Sequence, residues 1–348
     1  MDKPSSATIR DVARQAGVSV ATVSRFLNQN AHLAPDTQAR VVAAIHDLDY
    51  VPETAARNLS NRKTNAIGLL LPGIVWDHFF PPMLRGVEAA CYDAGFDLLI
   101  SSTHQPNPRG GRSPLGEHNT DGLLLFTGSV AVDDVLRLWQ KGHPLVLLYS
   151  GAPGSLPVPH VVFENKEGSR QIVSHLIEQH GFTKIGFLAG PADNEDARWR
   201  ERGYREALAA HGLPYRPEWV RQGEFDEEIA YRTVRDWLAA GLDVEAIFAA
   251  DDDSAYGAVR ALNEAGRRIP EEVALVGFDD SPTSRLLLPP LTTVRAPIEE
   301  SGYRAASLLA ELIRGGAAQT EILLPTEIVI RRSCGCHPNN TTQPIASF

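Results

Sequence analysis

From Ala66 onward the chain repeats one pattern, a short unbroken apolar run followed by a stretch with helical spacing: AIGLLL, FDLLIS, DGLLLF, PLVLLY, KIGFLA, AIFAA, VALVGF and, near the end, EIVIR. Runs without polar alternation belong to strands buried on both faces, which predicts parallel sheets covered by crossover helices. Ala66-Ile67-Gly68-Leu69-Leu70 is echoed by Lys184-Ile185-Gly186-Phe187-Leu188, so two similar α/β halves are expected. In such folds ligands bind beyond the carboxyl ends of the strands, in the cleft between halves. Only STHQPNPRGGRSPLGEHNT, Ser102 to Thr120, breaks the rhythm; its prolines and glycines argue against a full crossover helix, and an irregular excursion is expected.

The first 64 residues have a different texture. TIRDVARQAGVSVATVSRFLN, Thr8 to Asn28, spells two short helices around a glycine turn. Thr8 and Asp11 have the spacing of a capping box, and Ile9, Val12, Ala13 and Ala16 recur on one helical face. Gly17 stops this helix and Ser19 can cap a second, whose inward side is Val23, Phe26 and Leu27 while Val20, Ala21, Thr22 and Arg25 point outward. A short helix bearing small side chains and one arginine suits the major groove, where bulk would hold it off the bases and guanidinium can read guanine. A third apolar pattern, Val41, Val42, Ile45 and Leu48, is entered through Pro35-Asp36 and closed by Tyr50-Val51-Pro52. The next stretch, Pro52 to Thr64, has a proline at a helix-start position and a basic end, with Leu59 as its one large apolar residue.

Charge follows the same division. The 348-residue chain has a net charge of −10, yet residues 1–64 carry a net +2 and residues 65–348 a net −12. An acidic body repels DNA phosphates, so only the N-terminal part is expected to approach a duplex. MDKPSSATIR lacks the basic-then-apolar order of a signal peptide, no run of apolar residues is long enough to span a membrane, and three cysteines make no disulfide framework, so a cytoplasmic location is expected.

Taken together, TIRDVARQAGVSVATVSRFLN, Tyr50-Val51-Pro52, AARNLSNRKT, AIGLLLP, TDGLLLF, IGFLAGP, ARWRERGY, VALVGFDD, LTTVRAP and RRSCGC occur in the order and spacing of the lactose-repressor/galactose-repressor (LacI/GalR) family of bacterial transcription factors, and the chain resembles that family over residues 8–337. The resemblance implies an N-terminal all-α helix-turn-helix domain at 1–51, a hinge helix and linker at 52–64, and at 65–337 a periplasmic-binding-protein-like α/β core of two doubly wound subdomains, followed by a tail at 338–348. The first subdomain is expected at about 65–164 plus 292–322, the second at about 165–291 plus 323–337. Carried over residue by residue, the family pattern makes Val20, Ala21 and Arg25 the base readers and assigns Thr8, Ser19, Thr22, Ser24 and Asn28 to the surrounding DNA contacts. It also makes Leu59 a minor-groove wedge flanked by Arg57, Asn58 and Arg62. Its effector-binding set is Phe79, Phe80, Tyr149, Arg200, Asp251 and Asp279, a mixture of aromatic face, arginine and carboxylates suited to a sugar or sugar derivative. Two departures stand out: Tyr149 where many relatives carry Asp, and Trp199 beside the arginine.

Enzyme readings find no support. Gly17 to Ala21 falls one glycine short of a nucleophile elbow, and phosphate-loop and HExxH motifs are absent. Cys334, Cys336 and His337 form a Cys-x-Cys-His run too cramped to close a tetrahedral metal site unaided, so reduced thiols and no metal or cofactor are expected. The reading is therefore a homodimeric, ligand-controlled regulator, most naturally a repressor of carbohydrate-utilisation genes, on a palindromic operator: one recognition helix reads too few base pairs, and two across a dyad multiply specificity. The final HPNNTTQPIASF has no heptad pattern for a tetramer. A sugar-binding transport protein is the rival for residues 65–330, opposed by the helix-turn-helix; a catalytic α/β protein on a DNA tether is a second, opposed by the missing catalytic constellation.

Overall fold

The computed structural model describes residues 7–27, 33–50, 64–72, 78–102, 115–154, 156–241, 243–316 and 319–337. The chain forms two units, Met1–Thr64 and Asn65–Phe348. The expected excursion at 102–120 falls mostly outside the described residues, and the hinge almost wholly so.

In the first unit α1 (Ile9–Ala16), α2 (Val20–Leu27) and α3 (Pro35–Asp47) enclose Val12, Ala13, Ala16, Val23, Val41 and Ala44. The Asp11 carboxylate accepts from both the amide and the hydroxyl of Thr8, at 3.0 and 2.6 Å, and so holds the first turn of α1. Gly17, at φ 65°, ends α1 in the left-handed conformation that favours glycine, and the Val18 amide returns to the Ala13 carbonyl at 3.0 Å. Ser19 Oγ accepts the Thr22 amide at 3.1 Å and caps α2.

The second unit contains two six-stranded sheets. The first is built from β1 (Ala66–Leu71), β2 (Asp97–Ser102), β3 (Gly122–Phe126), β4 (Leu145–Leu148), β5 (His160–Phe163) and β11 (Glu321–Leu324), in the order β11-β5-β4-β3-β1-β2, all parallel. The second takes β6 (Ile185–Ala189), β7 (Val220–Gln222), β8 (Ala246–Ala249), β9 (Ala274–Asp279), β10 (Thr292–Arg295) and β12 (Glu327–Val329), in the order β12-β10-β9-β8-β6-β7. The echoing runs become β1 and β6, which hold the same place in their sheets. Each keeps its glycine for the same reason: a Cβ on Gly68 would stand 2.7 Å from Leu123, and one on Gly186 2.5 Å from Trp237.

Helices cover the sheets, among them α4 (Phe80–Ala94), α5 (Val132–Gln140) and α10 (Ile298–Ile313) with the first, and α6 (Asn165–His180), α7 (Glu195–Ala210), α8 (Glu227–Ala239) and α9 (Asp252–Glu264) with the second.

Three details differ from expectation. The crossings placed at about 292 and 323 lie instead at 296–297 and 325–326, because β10 pairs with β9 and β11 pairs with β5 over their whole lengths. β12, the EIVIR run, is antiparallel to β10, since it arrives directly from the other sheet without a crossover helix. β2 is an edge strand that leaves Leu99 and Ile100 exposed, although its apolar run predicts burial. No helix among the described residues is long and apolar enough to cross a membrane.

Candidate functional site

A cavity of about 650 Å³ opens where the carboxyl ends of both sheets face each other, within the usual range of about 300–1,000 Å³ for small-molecule sites. One wall is aromatic. Phe79 precedes α4 and Phe80 begins it, and their rings meet Phe126 at the end of β3 and Tyr149 just past β4, with centroids 5.0–6.1 Å apart. Phe80 is the more buried of the two and doubles as core. Tyr149 is fully buried at φ 62°, and its hydroxyl lies 2.6 Å from Ser301 Oγ, which itself donates to the Ile298 carbonyl; the phenol therefore donates to Ser301. It lines the cavity by its ring.

The opposite wall is polar and centred on Arg200, on the inward face of α7. Its Nε donates to Asn165 Oδ1 at 2.9 Å, one terminal nitrogen to the Ala250 carbonyl at 2.6 Å and the other to Asp279 Oδ1 at 3.2 Å. Its guanidinium lies over the Phe278 ring, 3.8 Å from the centroid. These bonds use three of its five N–H groups, so the arginine is fixed in place with donors remaining. Asn165 also donates to Asp196 Oδ1 at 2.8 Å, giving a buried polar chain Asp196–Asn165–Arg200–Asp279.

Burial pushes the carboxyls of Asp196 and Asp251 up to about 6 and that of Asp279 up to about 8, against the opposing pull of Arg200. Burial also raises Asp252 far above the usual carboxylate range, and the nearby Asp279 adds to it. Asp280 behaves oppositely: burial works to raise it, but Arg331 and Arg295 outweigh that and hold it low.

Of the six expected effector residues, all line this one cavity. Asp251 also caps α9, accepting the Ser254 amide at 3.1 Å. Asp252 is buried and accepts from Thr293 at 2.7 Å and from the Ser281 amide at 2.8 Å, which pins the turn after β9. Trp199 is absent from the cavity wall; its indole donates to Glu195, whose other oxygen accepts the Gly151 amide at 3.0 Å, joining the two halves at the rim. Asp196, Phe126 and Phe225 line the cavity and were not anticipated. Asp196 had a sequence signal, since it stands one helical turn before Arg200; the two phenylalanines had none.

In the first unit Val20, Ala21 and Arg25 are exposed together on α2, as is Ser19 at its start, and Thr22 and Ser24 are half-buried. The Arg25 Nε lies against the Ala21 carbonyl at 3.2 Å. The hydroxyl of Thr8 is engaged by Asp11, leaving its capping role the visible one. Asn28, Arg57, Asn58, Leu59 and Arg62 lie outside the described residues.

Residues 8–53 match the model of the bacterial regulatory proteins, lacI family, and residues 173–334 that of a periplasmic binding protein-like domain. The chain is 35% identical to the HTH-type transcriptional regulator CelR of Thermobifida fusca, over 96% of this chain and all of the relative. It is 31% identical to the HTH-type transcriptional repressor PurR of Photobacterium profundum, over 94% of this chain and 98% of the relative. Among solved structures it resembles a lac repressor dimer bound to operator and the anti-inducer ONPF, with TM-score 0.80, 26% identity and coverage of 95% and 99%. It also resembles a CelR–cellobiose complex, with TM-score 0.68, 33% identity and coverage of 94% and 99%.

Proposed function

This chain belongs to the lacI family of bacterial regulatory proteins, DNA-binding transcriptional regulators and not enzymes, and from that premise we propose that it is a homodimeric repressor of carbohydrate-utilisation genes controlled by a neutral, polyhydroxylated effector. The observation that carries the effector class is the two-sided cavity. Buried carboxylates at Asp251 and Asp279 accept hydrogen bonds from hydroxyls, the fixed Arg200 donates them, and the aromatic wall covers the apolar face of a sugar ring. The cellobiose named with the CelR structure is in keeping with this choice; the purine repressors among the relatives are the reason to test nucleobases beside sugars.

On the DNA side, the exposed Val20, Ala21 and Arg25 support base reading, with Ser19, Thr22 and Ser24 beside them suited to phosphate oxygens. Leu59 with Arg57, Asn58 and Arg62 completes the proposed contact set in the minor groove. Dimerisation is supported by operator symmetry and by Tyr92, Leu99 and Ile100, which leave apolar surface exposed on the first sheet and its helix α4. Effector control would act through the cleft, where Glu195 and Gly151 join the halves.

A thermal-shift screen against mono- and disaccharides and purine bases tests the effector class. Stabilisation by a neutral sugar, lost in Arg200→Ala, is the expected result. Stabilisation by a purine alone would replace the carbohydrate reading.

A further inference from the structure

Away from the cleft, the fold assembles a cluster that neither the DNA surface nor the effector cavity uses. His175 and His180, from the last turns of α6, and Cys334 and Cys336, from the segment after β12, bring their ligating atoms within 4.8 Å of one another. We propose that these four residues bind one zinc ion in a closed, structural Cys2His2 site.

The geometry is that of a tetrahedron already spaced for the metal. With Zn–S near 2.3 Å and Zn–N near 2.0–2.1 Å, the sulfur-to-nitrogen edge of a regular tetrahedron is about 3.5 Å. The Cys336 sulfur stands 3.6 Å from His175 Nε2 and 3.4 Å from His180 Nε2. A Cys-x-Cys pair is tighter than the usual zinc spacing, and Gly335 relieves it: at φ 103° it turns the chain so that both sulfurs serve one centre. The histidines are separated by four residues, inside the range found in zinc sites.

The surroundings suit a bound zinc ion. Binding displaces one proton from each thiol, and two thiolates with two neutral imidazoles leave a zinc site of zero net charge, suited to a half-buried position. The Thr292 hydroxyl donates to the Cys334 sulfur at 3.1 Å and would steady a thiolate. His180 is the last residue of α6, so the cation sits at the negative end of a helix.

All four positions are protein-supplied, which leaves no open site for chemistry and makes the role a clip. It would fasten the terminal segment to α6. That segment carries Ser333, bonded to the Leu275 carbonyl at 2.5 Å and the Thr292 amide at 2.8 Å, and Arg331, bonded to Asp280 beside the cleft.

The test is metal content. Full-length protein purified in zinc-containing, chelator-free buffer and then desalted should carry about one zinc per chain by plasma mass spectrometry. Cys336→Ser and His180→Gln should each lose it, whereas Cys91→Ser, whose thiol lies elsewhere in the core, should keep it. Cobalt added to the stripped protein should give the intense visible bands of tetrahedral coordination and a thiolate charge-transfer band. Zinc-free wild type with no cobalt spectrum would overturn the proposal, as would a Cys334–Cys336 disulfide in protein kept under reducing conditions or full zinc retention in both ligand variants. Circular dichroism on each variant separates loss of metal from loss of fold, and a folded variant without metal counts for the site.

Discussion

At the end of β9, Asp279 and Asp280 occupy φ values of 110° and 55°, a left-handed pair that side chains rarely adopt. Such residues cost about 1–3 kcal/mol each and persist where their surroundings hold them. Here Arg200 holds Asp279, while Arg295 and Arg331 hold Asp280. The two carboxylates have opposite consequences for pH. Asp279 is raised to about 8, so between its unfolded value near 3.8 and 8 the folded state keeps a proton that the unfolded chain has released. Its contribution is fully present at low pH and is lost as pH rises through that window. Asp279→Asn should therefore flatten the loss of stability between pH 5 and pH 8. Urea denaturation at both pH values measures it, and an unchanged slope would show that Asp279 is ionised throughout.

At the scale of elements, α2 and β6 show how much one side chain decides. Arg25→Ala should cost about 1–3 kcal/mol of specific affinity and relax preference at one base position per half-site. Selection of bound sequences by the variant checks this, and an unchanged consensus would take Arg25 out of the reading set. β6 is constrained from above: Gly186 lies directly beneath Trp237 of α8, and a larger residue must push the helix away. Gly186→Val should destabilise by about 1–3 kcal/mol through overpacking. Equal denaturation midpoints for variant and wild type would mean that α8 yields freely.

For the whole molecule, charge is divided by task. The net +2 of residues 1–64 and the net −12 of residues 65–348 mean that salt should act on one function alone. Operator affinity should fall with rising salt, with a log–log slope of about −0.9 per phosphate contact, while affinity for a neutral effector stays nearly constant. Fluorescence anisotropy and calorimetry across a salt series measure the two. A strong salt dependence of effector binding would point to a charged ligand and against the polyhydroxylated class. A second whole-molecule outcome follows from mass action: effector at a hundred times its dissociation constant should add about 2.7 kcal/mol of apparent stability to the unit that binds it.

Local periodicity was enough to identify what depends on neighbours in the chain. Val12, Ala13, Ala16 and Val23 marked the core face of the first unit, Gly17 and Ser19 its turn and cap, and the two glycine-bearing runs the equivalent strands β1 and β6 of the two sheets. The same local logic misjudged β2, because a run of apolar residues cannot say whether a strand will be central or at an edge. The crossings expected from the family resemblance fell a few residues off, because which sheet receives Thr292–Arg295 is settled by register with β9, sixteen residues away. The cavity was legible only in part. Arg200 and Asp279 are 79 residues apart and Asn165 is a further 35 before Arg200, so their shared bonds exist only once the sheets have brought three elements to one point. The Cys-x-Cys run is the plainest case: by itself it was read as reduced thiols without a metal, because the two imidazoles of α6 reach its sulfurs only through tertiary packing.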